Sequence, residues 1–185
     1  MKRSFLVDTC VISETRFRNP DPAVTRFLTQ NDFFIPAVVL VEIQQGIMEV
    51  CSSNPLKAVE LSAWYQRLFS TDLPILPLGR EVAEILGTLV NDRRLQNLYI
   101  ANPRKKRPRL GLDLHIAAFA LAHRLPIATH NIADFCAVNA CYPLPGIYSP
   151  REDRWYAEME PLRYPDTHSE EVPPARRGLL QSFDK

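Results

Sequence analysis

Three carboxylates set far apart along the chain, Asp8, Glu42 and Asp113, have residue types and surroundings suited to holding a divalent cation. Asp8 closes the short apolar run SFLVD, Glu42 interrupts the apolar string VVLVEI, and Asp113 opens an alanine-rich stretch. Asn131 and Asp134, in THNIADF, compete for a fourth place. Hard cations take oxygen ligands, and Mg²⁺ binds one or two carboxylates directly while keeping several waters. Clustered without an ion, the same acids would repel one another and raise each other's pKa. A cation among them activates a water and offsets charge on a phosphate, which is the chemistry of phosphodiester hydrolysis.

Each acid also has a purely structural account. Asp8 can cap a helix that starts at Thr9, and Asp113 can serve as the dipole partner of its own helix. Asp134 fits a cap before Phe135 as well as it fits a metal ligand. Glu42 is harder to explain away, because a charge inside an apolar run either reaches solvent or meets a partner. The joint placement carries the expectation, since no single acid does.

The elements that must position these residues alternate between strand and helix. Ser4 to Asp8 reads as a strand followed by a helical start in TCVISET, and Val24, Phe27 and Leu28 have helical spacing. Phe33 to Pro36 reads as a second strand and Val38 to Val50 as a helix with Val39, Ile43, Ile47 and Val50 on one stripe. A further helix is expected over Pro55 to Phe69, a third strand over Pro74 to Leu78, and a helix over Glu81 to Leu95. Leu112 to Arg124 is strongly helical, Pro126 to Thr129 is a fourth strand, and Tyr142 to Tyr148 is a weak edge strand. Such alternation predicts an open, mostly parallel sheet covered by helices. In that architecture ligands gather at the carboxyl ends of the strands, where Asp8, Glu42, Asp113, Asn131 and Asp134 can converge.

The chain has 185 residues, 46% of them hydrophobic, enough for one sizeable core with an appended segment. The expected division is a domain over residues 1–150 and a C-terminal extension over 151–185. The extension holds eight acids, six bases and prolines at 161, 165, 173 and 174. Its Trp155, Tyr156 and Met159 are expected to dock as one helical turn. The N-terminus has only a three-residue apolar stretch before Asp8, and no run approaches the roughly 20 residues that cross a bilayer. The four cysteines lack CxxC spacing, so a cytoplasmic protein with reduced thiols and neither zinc nor disulfides is expected.

Net charge is only +1, but its distribution is uneven. From Arg93 to Arg109 there are seven basic residues and no acid. Within that run Arg104, Lys105, Lys106, Arg107 and Arg109 are the candidate phosphate contacts, the alternative being a solvated loop.

Five segments, LVDTCVISE, IPAVVLVEIQQGI, ILPL with EVAEI, GLDLHIAAFALAH and IATHNIADF, resemble in order and spacing the PIN-domain ribonucleases, and within them the toxins of VapC type. The resemblance covers about residues 4 to 150. It implies an α/β fold of three layers, α/β/α, around a mostly parallel five-stranded sheet, and a Mg²⁺- or Mn²⁺-dependent endoribonuclease. It also implies an RNA substrate, a cognate antitoxin protein and a homodimer. Carried over by position, Asp8, Glu42 and Asp113 match the family's three acids, with Asn131 and Asp134 as second-tier catalytic residues and Asp134 a further metal ligand. Thr9 and Thr129 match hydroxyl residues that flank the acidic pocket. Cys10 stands where Asn is usual and is read as packing. His130 stands where Arg is common, and is read either as a phosphate contact when protonated or as a surface or hydrogen-bonded histidine. The competing reading is a catalytically degenerate PIN-fold module that binds nucleic acid or protein.

Overall fold

In a computed structural model of the protein, which describes residues 4–70, 72–99 and 111–158, strands and helices alternate as the sequence pattern predicts. In chain order they are β1 (Ser4–Val7), α1 (Thr9–Ile12), α2 (Pro22–Gln30), β2 (Asp32–Pro36), α3 (Ala37–Cys51) and α4 (Pro55–Phe69), then β3 (Ile75–Leu76), α5 (Arg80–Asn91) and α6 (Gln96–Tyr99). The rest comprises α7 (Asp113–His123), β4 (Ile127–Ala128), α8 (Ile132–Cys141), β5 (Gly146–Ser149) and β6 (Arg154–Glu158). The strand order is β3-β2-β1-β4-β5-β6. The first five strands are parallel, and β6 runs antiparallel on β5. Helices flank the sheet in the three-layer α/β/α arrangement.

Three sequence expectations are corrected. The sheet has six strands rather than five, and β5 is internal rather than an edge. Trp155 and Tyr156 lie in a strand, not a helical turn. The cause is tertiary: the indole of Trp155 stacks on Phe5 at 5.7 Å and lies 5.1 Å from the Tyr148 ring, contacts that an extended strand beside β5 can make. Gly146 leaves room for that indole, because a Cβ there would sit 2.7 Å from the Trp155 ring and 2.9 Å from Pro126. The helix expected to reach Leu95 stops at Asn91, where the Asp92 side chain accepts from the Arg94 amide and starts a 3₁₀ turn instead. Ile132–Cys141 is a helix that short-range pattern did not announce.

The helix that carries Asp113 is anchored most firmly. Leu114, Ile116, Ala117, Ala118, Phe119 and Ala120 of α7 are all buried, so this helix runs through the interior and its small residues permit close approach to its neighbours. Just before it, Gly111 passes against α6 so tightly that a Cβ would fall 1.7 Å from the Leu98 carbonyl oxygen. That contact fixes where α7 starts. Among the described residues no helix is long and apolar enough to cross a membrane.

Candidate active site

Strand order creates the site. From β1 the chain proceeds to β2 and β3 on one side, and from β4 to β5 on the other, so the loops leaving β1 and β4 diverge and open a crevice between them. Asp8 is the first residue past β1 and Thr129 the first past β4. Both are buried, and the Thr129 hydroxyl donates to Asp8 Oδ2 at 2.6 Å across a sequence separation of 121. Asp8 stands at the N-cap position of α1 but its side chain makes no cap hydrogen bond, so the capping account of this acid fails.

The other acids arrive from three helices. Glu42 lies in the second turn of α3, where the Thr9 hydroxyl donates to its Oε2 at 2.5 Å. Asp113 is the first residue of α7 and Asp134 lies in the first turn of α8. Asn131 ties these two together: its Nδ2 donates to Asp113 Oδ1 at 3.1 Å and to Asp134 Oδ2 at 2.8 Å. Its own backbone N–H donates to the Thr129 hydroxyl at 2.9 Å, which links the Asp113 side of the site to Asp8. All five sequence-predicted residues line one open cavity of about 650 Å³ with Thr9, Cys10 and His130. Thr129 lies beneath it through its hydrogen bond to Asp8.

Charge crowding is written in the protonation of Asp113. Burial, and then the Asp8 carboxylate, push its carboxyl up to about 7 against the pull of the Asn131 hydrogen bond, with Asp134 and Glu42 adding to the rise. A carboxylate disfavoured by burial and by neighbouring anions is favoured again by a cation beside it. The donors are all oxygen, which suits Mg²⁺ or Mn²⁺ and not a soft metal. As the side chains stand, no group of three among the described residues is arranged to hold an ion. Thr129, Thr9 and Asn131 each donate to a carboxylate oxygen of this set, and because a carboxylate offers two oxygens and several lone pairs, these hydrogen bonds orient the acids without excluding an ion.

Two residues depart from their sequence reading. Cys10 does more than pack: its thiol donates to Asp8 Oδ2 at 3.0 Å and its sulfur accepts the His130 amide at 3.2 Å. Burial and the Asp8 charge raise its pKa, so it remains a protonated thiol and an inert donor. His130 is half-buried, and burial together with the Arg151 charge lowers its pKa, which keeps the ring neutral near pH 7. Neither ring nitrogen has a hydrogen-bond partner among the described residues, so the hydrogen-bonded reading is not met.

Glu14, Arg16 and Arg151 also line the cavity and were not singled out by sequence. For Arg151 no local signal existed, since it lies in the segment whose composition resembles a tail. The basic candidates Arg104, Lys105, Lys106, Arg107 and Arg109 fall outside the described residues. Of the same run, Arg94 is ion-paired with Asp92 at 2.6 Å.

The family model of the PIN domain matches residues 5–140. The chain belongs to the PIN domain family. PIN domains are generally nucleases. The match ends before β5, so the β5–β6 hairpin lies beyond it. Among solved structures, FitAcB from Neisseria gonorrhoeae is similar at 25% identity and a TM-score of 0.56, covering 79% of this chain and 97% of that one. FitAB bound to an IR36 DNA fragment matches at 22% identity, TM-score 0.54, over 80% and 95%. VapBC2 from Rickettsia felis, bound to a DNA fragment from their promoter, matches at 21% identity, TM-score 0.51, over 74% and 94%. The last two likenesses concern the fold. No curated protein sequence matches the chain.

Proposed function

We propose that this PIN domain is a Mg²⁺- or Mn²⁺-dependent endoribonuclease and the VapC-type toxin of a toxin and antitoxin pair. The observation that carries the reading is the convergence of Asp8, Glu42, Asp113 and Asp134 on one cavity, with the Asp113 carboxyl pushed up to about 7 by burial and then by its fellow acids. Those four carboxylates would hold the ion. When bound, it supplies positive charge to the scissile phosphate and makes a water easier to deprotonate. The chain's own residues do the positioning. Asn131 sets the spacing of Asp113 and Asp134, Thr129 and Cys10 orient Asp8, and Thr9 orients Glu42. Each is a hydrogen bond to a charged acceptor, and together they keep four like charges within reach of one another before metal arrives. The Arg104 to Arg109 run is the proposed RNA-backbone contact.

The test is cleavage of a single-stranded RNA by the purified full chain with Mn²⁺, with Mg²⁺ and with EDTA, beside Asp8→Asn and Asp113→Asn. Cleavage that needs the cation and is lost in both variants is the expected result. Equal cleavage by all three proteins, or cleavage unaffected by EDTA, would refute it.

For an antitoxin partner, the fold offers a place. A shallow groove of about 190 Å³ runs from Glu42 between α3 and α4, floored by Ile43, Ile47, Val50, Leu61 and Trp64. Its apolar floor beside an acidic cavity suits an antitoxin helix that ends in a basic side chain. A homodimer is part of the same proposal, and light scattering on the isolated chain measures it. The reading of a binding module without catalysis predicts no Mn²⁺ uptake in calorimetry, whereas an intact acid set binds the ion.

A further inference from the structure

The cavity presents five carboxylates, Asp8, Glu14, Glu42, Asp113 and Asp134, to a substrate that is itself a polyanion. A divalent ion offsets part of that charge. The remainder calls for cations at the rim, since like charges lower both the capture rate and the affinity of a charged ligand. Arg151 is one of two arginines that line the cavity, and it comes from the hairpin beyond the PIN domain match.

Two acids hold it from the protein side. Arg151 Nη2 donates to Glu14 Oε1 at 2.6 Å, and its Nε lies 3.2 Å from Asp21 Oδ2. The side chain remains 52% exposed while Glu14 is 13% exposed, so the guanidinium is gripped from the protein side and open on the other. A guanidinium has five N–H groups; Glu14 accepts from one on Nη2 and Asp21 pairs with the Nε side, which leaves the Nη1 edge to meet a phosphate. The turn that carries it is rigid for reasons of its own. Its other acids, Glu152 and Asp153, accept from the hydroxyls of Tyr156 and Tyr148, which removes them as competitors for the arginine. Asp153 adopts φ 50°, and the strand beyond is anchored by Trp155 against Phe5. The charge is felt at the site, because it helps to lower the His130 pKa.

We propose that Arg151 is a phosphate-binding residue for the RNA strand, delivered to the acidic cavity by the β5–β6 hairpin and held in orientation by Glu14 and Asp21. The inference rests on the nuclease reading for the identity of the strand, but it is tested by binding and not by cleavage. It gives the hairpin a function: the neutral His130 supplies no charge at this end of the sheet, and Arg151 does.

The experiment is fluorescence anisotropy of a labelled single-stranded RNA oligonucleotide with the full chain in EDTA, repeated with Ca²⁺, across a salt series. Arg151→Ala should weaken binding about 5- to 10-fold and reduce the salt slope by about 0.7, the loss of one phosphate contact on a single strand. Arg151→Lys should restore the slope and part of the affinity, because it keeps the charge and loses the fork. Glu14→Gln keeps the Arg151 charge and removes one acid that repels the strand, so it should keep the slope and not weaken binding as Arg151→Ala does. A purely structural clamp would lower the melting temperature of Arg151→Ala and leave slope and affinity unchanged, and that result overturns the proposal. So does a wild-type chain that binds no RNA in either condition. Arg151-dependent binding without any metal-dependent cleavage would sink the nuclease reading alone; cleavage with Arg151-independent binding would sink this inference alone.

Discussion

Replacing Asp113 by Asn should make the metal-free protein more stable at pH 8 and change little at pH 4. The carboxyl titrates near 7 in the fold against 3.8 in its absence, because burial and then Asp8 oppose its ionisation. Between those values the folded state holds a proton that the unfolded chain has released. Folding therefore binds more protons, and stability falls as pH rises through this window, levelling off above about 7. Each pH unit inside it costs about 1.4 kcal/mol, so the wild type should lose between 2 and 3 kcal/mol from pH 5 to pH 8 on this account. Solvent reaching the partly buried group trims the figure to about 2 kcal/mol. Asn keeps the shape and an oxygen that accepts from Asn131, so the variant lacks the charge without losing the contact. Urea denaturation in EDTA at half-unit pH steps gives the two profiles. Curves for wild type and Asp113→Asn that run parallel from pH 5 to 8 would refute the claim that the acids crowd one another.

Mn²⁺ should raise the wild-type melting temperature more at pH 8 than at pH 5, because protons and the ion compete for Asp113, and Asp8→Asn should abolish the rise; thermal scans with and without the ion measure both. Asn131→Ala removes a hydrogen bond that favours the ionised form of Asp113, so the acidic limb of metal-dependent RNA cleavage should move to higher pH, a shift that a pH–rate profile reads directly. Thr129→Val leaves buried Asp8 without its hydroxyl donor and the Asn131 amide without its acceptor, at a cost of about 2 to 4 kcal/mol in urea denaturation at pH 7. Gly111→Ala drives a methyl into the Leu98 carbonyl and should cost about 2 to 4 kcal/mol in the same assay while reducing cleavage through the displaced start of α7.

The sequence by itself carried the alternation of strands and helices as far as β4, and three of the acids, because both signals are local. Apolar periodicity separates strand from helix within a few residues, and an acid that ends an apolar strand or interrupts an apolar helix is visible without knowing the fold. It also carried Asn131 and Asp134 as a pair while leaving their roles open. Tertiary structure joined the pair to the rest of the site, since the Asn131 amide reaches back 18 residues to Asp113 and forward three to Asp134. The same holds for Thr129 on Asp8, for Cys10 as a donor, and for Arg151 against Glu14 across 137 residues. These contacts depend on which strands lie side by side. Parallel neighbours are joined by crossovers whose length hides their pairing, so β4 beside β1 is not written in any short stretch. Composition likewise marked the segment after Pro150 as tail, whereas one indole packed on Phe5 makes its first part the sixth strand. What the sequence named was a set of candidate acids; the fold decided which donors hold them and placed an arginine beside them.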